Sequence, residues 1–214
     1  MDLLITKIVS EIDLTDKEQE LIRSCFTLEQ LDKGELLING EDFFNHIFFV
    51  EAGLLRVYLK ETDGNEHLLQ FAAEGCWVPD NFHQTKTSKF WNHIQAIEKT
   101  DVLVISHANF EKLLEDIPKL ELYFRVVMQD RIADLHWRII NHLASFAEDS
   151  YSMFVKCYPD IAQRVPLYMI AAYLGLKPET LSRNRRDLAT KNKLKPTDSH
   201  LLVKLFNTYK QSKK

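Results

Sequence analysis

Val165-Pro166-Leu167-Tyr168-Met169-Ile170-Ala171-Ala172-Tyr173-Leu174-Gly175-Leu176-Lys177-Pro178-Glu179-Thr180-Leu181-Ser182-Arg183-Asn184-Arg185-Arg186-Asp187-Leu188 decides how this chain is read. The stretch predicts two short helices joined by a tight turn. Ile170, Ala171 and Leu174 give the first helix an apolar face. Gly175 stands where a helix ends and the chain enters a left-handed conformation. Pro178 suits the first turn of the next helix, where its missing N–H costs nothing, and Glu179 beside it favours the positive end of the helix dipole. Leu181 and Leu188, seven residues apart, face inward, while Ser182, Arg183, Arg185 and Arg186 face outward. A helix-turn-helix offers its second helix to the DNA major groove in this way, with N-terminal residues at the base edges. An ordinary helical hairpin with a solvated basic face has the same pattern, so the rest of the chain must separate the two.

Charge separates them. Residues 150–214 hold 13 Lys and Arg against 4 Asp and Glu, a net +9, whereas residues 1–149 hold 14 against 27, a net −13. The whole-chain value of −4 conceals this polarity. A basic end gathers near polyphosphate and gains affinity by releasing counterions, and an acidic remainder is repelled from it. Charges placed for solubility alone would not segregate between the two ends.

Other features exclude whole classes. A chain of 214 residues has room for two domains with their own cores, and 45% hydrophobic content is ordinary for a globular protein. No apolar run approaches the ~20 residues that span a bilayer, and Met1-Asp2-Leu3-Leu4-Ile5-Thr6-Lys7 lacks the parts of a secretory signal. No membrane partner is expected. Cys25, Cys76 and Cys157 are odd in number and far apart. They make neither a disulfide framework nor an iron–sulfur set, and are expected to be buried or half-buried thiols in a reducing cytoplasm. Enzyme chemistry finds no support, because a Gly-rich phosphate loop, a Gly-x-Ser-x-Gly elbow and a His-Glu-x-x-His pair are all missing.

Residues 1–30 read as helical, with Thr15-Asp16-Lys17-Glu18 resembling a capping box ahead of Leu21 and Ile22. From Leu31 the pattern changes to short strands at Glu35–Ile38, His46–Val50, Leu54–Lys60, His67–Ala72, His93–Ile97 and Val102–Ile105. Glycines punctuate them, and Thr62-Asp63-Gly64-Asn65 carries the Asp-Gly pair of a tight hairpin. Short strands at roughly ten-residue spacing predict a small antiparallel barrel or roll. Beyond Pro118, Phe124, Met128, Ile132, Leu135, Ile139, Leu143 and Phe146 recur at steps of three and four, one apolar stripe on a long helix. From Lys119 to His142 that helix would run ~36 Å. Such a stripe needs a cover, either the roll or a second copy of the chain. Helix-turn-helix proteins bind as two-fold dimers, so a homodimer seam at Phe124, Met128, Ile132, Leu135 and Ile139 is expected.

With these parts in place the chain resembles the Crp/Fnr transcription regulators. Lys33-Gly34-Glu35-Leu36-Leu37-Ile38-Asn39-Gly40 and Ile47-Phe48-Phe49-Val50-Glu51-Ala52-Gly53-Leu54-Leu55-Arg56-Val57-Tyr58 look like the opening of that family's roll, and Pro178–Arg183 is similar to its recognition helix. The pattern Tyr158-Pro159, Arg164-Val165-Pro166, Ile170-Ala171, Tyr173-Leu174-Gly175 resembles a branch common among Bacteroidetes. The resemblance implies an α+β chain. A cyclic-nucleotide-binding-like antiparallel β-roll (a double-stranded β-helix) would occupy residues 1–118, a dimerisation helix 119–143 and a winged helix-turn-helix 144–214. It implies a homodimer on a palindromic operator of double-stranded DNA, with RNA polymerase as a further partner. Glu179, Ser182 and Arg183 are the expected base readers, because Arg pairs with guanine O6 and N7 and Glu accepts from a cytosine amino group. Thr180, Arg185, Arg186, Lys191 and Lys193 are the expected phosphate contacts, which position without specifying. Some members have an arginine before that glutamate; this chain has Pro178, which reads nothing by hydrogen bonding.

The roll departs from the family pattern. A cyclic-nucleotide site needs Gly-Glu for the ribose and Arg-Ser or Arg-Thr for the phosphate, since a buried phosphate must be paired. Here Gly75-Cys76-Trp77-Val78-Pro79-Asp80-Asn81 lacks the Gly-Glu, and Phe90-Trp91 falls where the Arg pair is expected. Cyclic AMP and cyclic GMP are therefore not expected as effectors, and no cofactor or metal is assigned. Trp77, Phe82, Phe90 and Trp91 are candidates for lining an apolar effector pocket, although aromatics at strand spacing are more often core. His83 and His93 raise haem or metal, without the Cys or carboxylate spacing that would support either. The alternatives left open are a haem or small-molecule sensor using the aromatic pocket, and a ligand-free β-barrel module without regulatory DNA readout.

Overall fold

A computed structural model describes residues 1–39, 45–79, 90–143 and 147–191. Two helices open the chain, α1 (Asp2–Val9) and α2 (Asp16–Cys25), followed by β1 (Thr27–Leu31), β2 (Leu36–Ile38), β3 (His46–Ala52), β4 (Leu55–Glu61), β5 (Glu66–Ala72), β6 (Trp77–Pro79), β7 (Phe90–Ala96) and β8 (Thr100–Ser106). Then come α3 (His107–Asp116), α4 (Leu120–Leu143), α5 (Ala147–Cys157), α6 (Pro159–Arg164), α7 (Leu167–Leu174) and α8 (Pro178–Lys191). The chain is α+β, and its two compact units, residues 1–135 and 136–214, divide within α4. The expected wing and Phe146 lie outside the described residues.

Two four-stranded antiparallel sheets make the roll, in the orders β1-β8-β3-β6 and β2-β7-β4-β5. The uninterrupted apolar run Ile47-Phe48-Phe49-Val50 follows from the position of β3, which is covered on both faces. Phe48 and Val50 point between the sheets with Leu55, Val57, Ile94 and Val102. Ile47 and Phe49 point the other way, into a second cluster with Leu4 and Ile8 of α1, Ile22 of α2 and Leu120 and Tyr123 of α4. The β4–β5 hairpin turns at Asp63-Gly64 as its sequence predicts, and the Asp63 carboxylate accepts from the Asn65 N–H at 3.1 Å. Gly53 holds the β3–β4 corner at φ +94°; a Cβ there would lie 2.6 Å from the Lys99 carbonyl and the Thr100 hydroxyl. Only glycine fits that approach.

The helices are tied down by named caps. Glu51 of β3 accepts from the N–H groups of Leu3 and Leu4 at 2.9 and 3.2 Å, so a roll side chain caps α1. Thr15 and Glu18 form the expected capping box on α2. Lys119 donates to the Glu18 carboxylate at 2.8 Å, joining α2 to the segment entering α4. The Lys119 bond first, and Thr15 second, hold Glu18 at a pKa of about 2, below its ordinary 4.5. A carboxyl whose pKa falls on folding stabilises the native state above its unfolded value, and that contribution is lost as pH drops toward the folded one. Acidifying from pH 4.5 to about 2 should therefore lower the melting temperature of the wild type more steeply than that of Glu18→Gln. The two curves should converge at the acid end.

The fold corrects the sequence reading at β1 and at Trp77, among other places. Helix stops at Cys25, and Thr27–Leu31 is an edge strand in register with β8. Four of its five residues are exposed, so it carries no apolar alternation to detect; pairing with β8 makes it a strand. Trp77 opens the short strand β6 and belongs to the core instead of an effector pocket. It is 7% exposed, its ring meets Phe49 and Phe124 edge-on at 5.0 and 4.9 Å, and its indole N–H donates to the Tyr123 hydroxyl at 3.0 Å.

Candidate nucleic-acid interface

Helix α7 ends as its sequence predicts. Gly175 takes φ +67°, ψ +27°, and the Leu176 N–H reaches back to the Ala171 carbonyl at 2.9 Å, closing the turn. Ile170 and Ala171 are buried and Leu174 is half-buried. Helix α8 starts on Pro178, with the Leu181 N–H bonded to the Lys177 carbonyl at 3.1 Å. Helix α5 packs against both α7 and α8. It brings Met153 and Phe154 into this core, where Phe154 meets Tyr173 at 5.5 Å. The Arg138 guanidinium lies 4.5 Å from the centroid of the Tyr173 ring, a cation–π arrangement. The sequence reading did not resolve α5 and α6, nor the burial of Asn184, which is 4% exposed. Its polarity argued for the surface, but its place three residues after Leu181 puts it on the inner face.

Helical phase arranges the outer face. At about 100° per residue, Glu179, Ser182, Arg183 and Arg186 fall within roughly 100° of arc, opposite Leu181. Leu181 is fully buried; Glu179, Arg183 and Arg186 are exposed, and Ser182 is half-buried at the margin. The proposed phosphate contacts Thr180 and Arg185 flank this face, one on each side, by the same phase. Thr180 is half-buried and Arg185 exposed. Arg186 shares the central face with the proposed base readers. The side chain of Lys191, and Lys193 altogether, lie outside the described residues.

The proposed dimer seam divides in two. Phe124 is packed inside its own unit, edge-on to Trp77 at 4.9 Å and to Phe110 at 4.7 Å, so it is a core residue and leaves the seam. From Met128 onward the stripe turns outward: Met128 is 38% exposed, Ile132 52%, Leu135 40% and Ile139 53%. Large apolar side chains this exposed recur along one face of the helix.

Of the proposed effector residues, Phe82 and the side chains of Phe90 and Trp91 lie outside the described residues, as does His83. His93 is buried against Tyr58, with stacked rings 5.0 Å apart, and burial lowers its pKa. The described lining between the sheets is aliphatic and aromatic, apart from buried Gln70 opposite Val57. Arg56 alternates away from that space between inward Leu55 and Val57. Its guanidinium bonds to Gln95 and Glu66, each at 2.7 Å, and lies over the Tyr58 ring. Among the described residues no group of three or more His, Cys, Asp or Glu could hold a metal, and no helix is long and apolar enough to cross a membrane. Cys25, Cys76 and Cys157 are half-buried and form no disulfide.

Residues 28–116 match the cyclic nucleotide-binding domain family. The transcriptional activator Anr of Pseudomonas aeruginosa is 27% identical over 164 residues, covering 72% of this chain and 66% of that protein. The transcriptional regulatory protein Btr of Bordetella pertussis is 25% identical over 179 residues, covering 78% of this chain and 72% of its own length. The structure of FixK2 from Bradyrhizobium japonicum shares the fold, with a TM-score of 0.65 at 18% identity over 81% of this chain and 89% of that one. A roll of the cyclic-nucleotide-binding type followed by a helix-turn-helix defines a transcription regulator of bacterial type, a class without enzymatic chemistry. These likenesses support reading the chain as a regulator similar to those of the Crp/Fnr family.

Proposed function

We propose that the protein binds double-stranded DNA in the cytoplasm as a homodimer, placing one α8 in the major groove of each half of an interrupted palindrome. One observation carries this: Glu179, Ser182, Arg183 and Arg186 share the outer face of a helix anchored through buried Leu181 and entered through the Gly175 turn. The concentration of basic residues beyond position 150 supports it. The stripe at Met128, Ile132, Leu135 and Ile139 supplies the two-fold seam, which sets two recognition helices one turn of DNA, ~34 Å, apart. Binding selection on randomised duplexes with the full-length protein tests the proposal. A symmetric motif with half-site centres about 10 base pairs apart is the expected result. A protein that enriches no symmetric motif is not this regulator.

The roll, in the same proposal, is not gated by cyclic AMP or cyclic GMP. The described lining is apolar apart from Gln70, Arg56 is engaged elsewhere, and Phe90-Trp91 replaces the expected charge clamp. A nucleotide at 100 times its dissociation constant would stabilise the folded state by ~2.7 kcal/mol. Thermal unfolding should instead be unchanged by either nucleotide. A saturable rise in melting temperature at micromolar nucleotide would sink this part of the proposal.

A further inference from the structure

We infer that Pro178 reads the C5-methyl group of a pyrimidine in each half-site, an inference that rests on the DNA-binding proposal above. Pro178 is the first residue of α8, is exposed, and directly precedes Glu179. First-turn residues of a recognition helix lie at the base edges. A proline there has no N–H and no polar side-chain atom, so it donates to neither a phosphate nor guanine O6 and N7. Its side chain offers only ring methylenes. Among major-groove edges, thymine alone adds a methyl group to its hydrogen-bonding pattern, and apolar side chains are its usual neighbours there. The ring also holds φ at the value the first helical turn requires and loses no rotamer freedom on binding. By the same helical phase Pro178 lies about 20° from Arg185, so it is a rigid apolar surface at the start of α8 on one flank of the reading face. At this position the half-site should hold a methylated pyrimidine where members with arginine take guanine.

Thymine and 5-methylcytosine both present this methyl, and the experiment distinguishes them. The selected operator is synthesised with thymine or uracil opposite adenine, and with 5-methylcytosine or cytosine opposite guanine. Each is placed at the pyrimidines adjoining the position that responds to Glu179→Ala. Full-length wild type should prefer thymine over uracil by about fourfold per half-site at one such position, the effect of burying one methyl. Thymine with no matching 5-methylcytosine effect identifies thymine as the ligand; equal methyl effects identify any C5-methylated pyrimidine, and both sustain the inference. Pro178→Ser should bring the methyl ratio to about one, and Pro178→Arg should move the selected base to guanine. Equal wild-type affinity for thymine and uracil at every adjoining pyrimidine overturns the inference, as does a methyl ratio that survives Pro178→Ser. Should Pro178→Ser fail to fold, as judged by far-ultraviolet circular dichroism, the wild-type comparison decides alone. A wild type that selects no symmetric motif fails the DNA-binding proposal itself, whereas a symmetric motif indifferent to the methyl group fails only the role of Pro178.

Discussion

Ile132→Glu should convert the protein from dimer to monomer. Ile132 is 52% exposed in the single chain and sits midway along the outward stripe from Met128 to Ile139. Burying it from both copies contributes ~1.5–3 kcal/mol per side chain. The substitution loses that contribution and brings two carboxylates into a dry seam, where each unpaired charge costs several kcal/mol more unless it protonates. A total of ~6 kcal/mol would weaken dimerisation on the order of 10⁴-fold. Sedimentation velocity at micromolar concentration should show wild type as a dimer and the variant as a monomer. Ile132→Leu, which conserves volume, should remain dimeric. The same Glu placed at Phe124 should instead lower the melting temperature, because Phe124 is packed within its own unit against Trp77 and Phe110. A wild type already monomeric at that concentration would refute the two-fold architecture.

Arg183→Ala should erase sequence preference at one position of each half-site. A bidentate arginine–guanine pair supplies ~1–3 kcal/mol of discrimination, and a symmetric operator contains two. Cognate affinity should therefore fall by about 2–6 kcal/mol while non-specific affinity changes little. Arg185→Ala is the contrasting case. Arg185 is exposed on the flank of α8, and removing its charge from the neighbourhood of a phosphate should weaken all sequences alike. The slope of log affinity against log salt should become shallower by about 0.9 for each phosphate that is no longer neutralised. Arg186 lies by helical phase on the central face, so its variant will show whether it acts on phosphate, as proposed, or on a base. Selection with each variant, run at two salt concentrations, reads both quantities. An unchanged motif for Arg183→Ala together with uniformly weaker binding would assign Arg183 to phosphate.

Much of this architecture is written in local sequence. Gly175 had to end a helix because the next step needed a left-handed residue, and Pro178 had to begin one because it has no N–H to satisfy. The capping box at Thr15 and Glu18 and the Asp63-Gly64 hairpin are of the same kind, each set by a few neighbouring residues. The outward face of α8 follows from the helical period alone, since Leu181 fixes which side is buried. The charge polarity is legible without any fold, because counting needs no coordinates.

Elements defined by distant partners were not legible. Thr27–Leu31 is a strand only because β8 lies beside it, and Trp77–Pro79 only because β3 does. Trp77 and Phe124 looked available for a pocket and for a seam, respectively. Each is apolar and correctly spaced, and periodicity gives the face of an element without naming what covers that face. Tertiary packing assigned both to one aromatic cluster around Tyr123, where the indole N–H finds its acceptor. It also turned the same helix outward from Met128, leaving an apolar stripe uncovered. The sequence by itself determined the caps, the turns and the outward face of α8, because these depend on backbone preferences and periods within a few turns. The tertiary structure alone decided which apolar residues are already covered and which remain exposed, because burial depends on segments brought together from far along the chain.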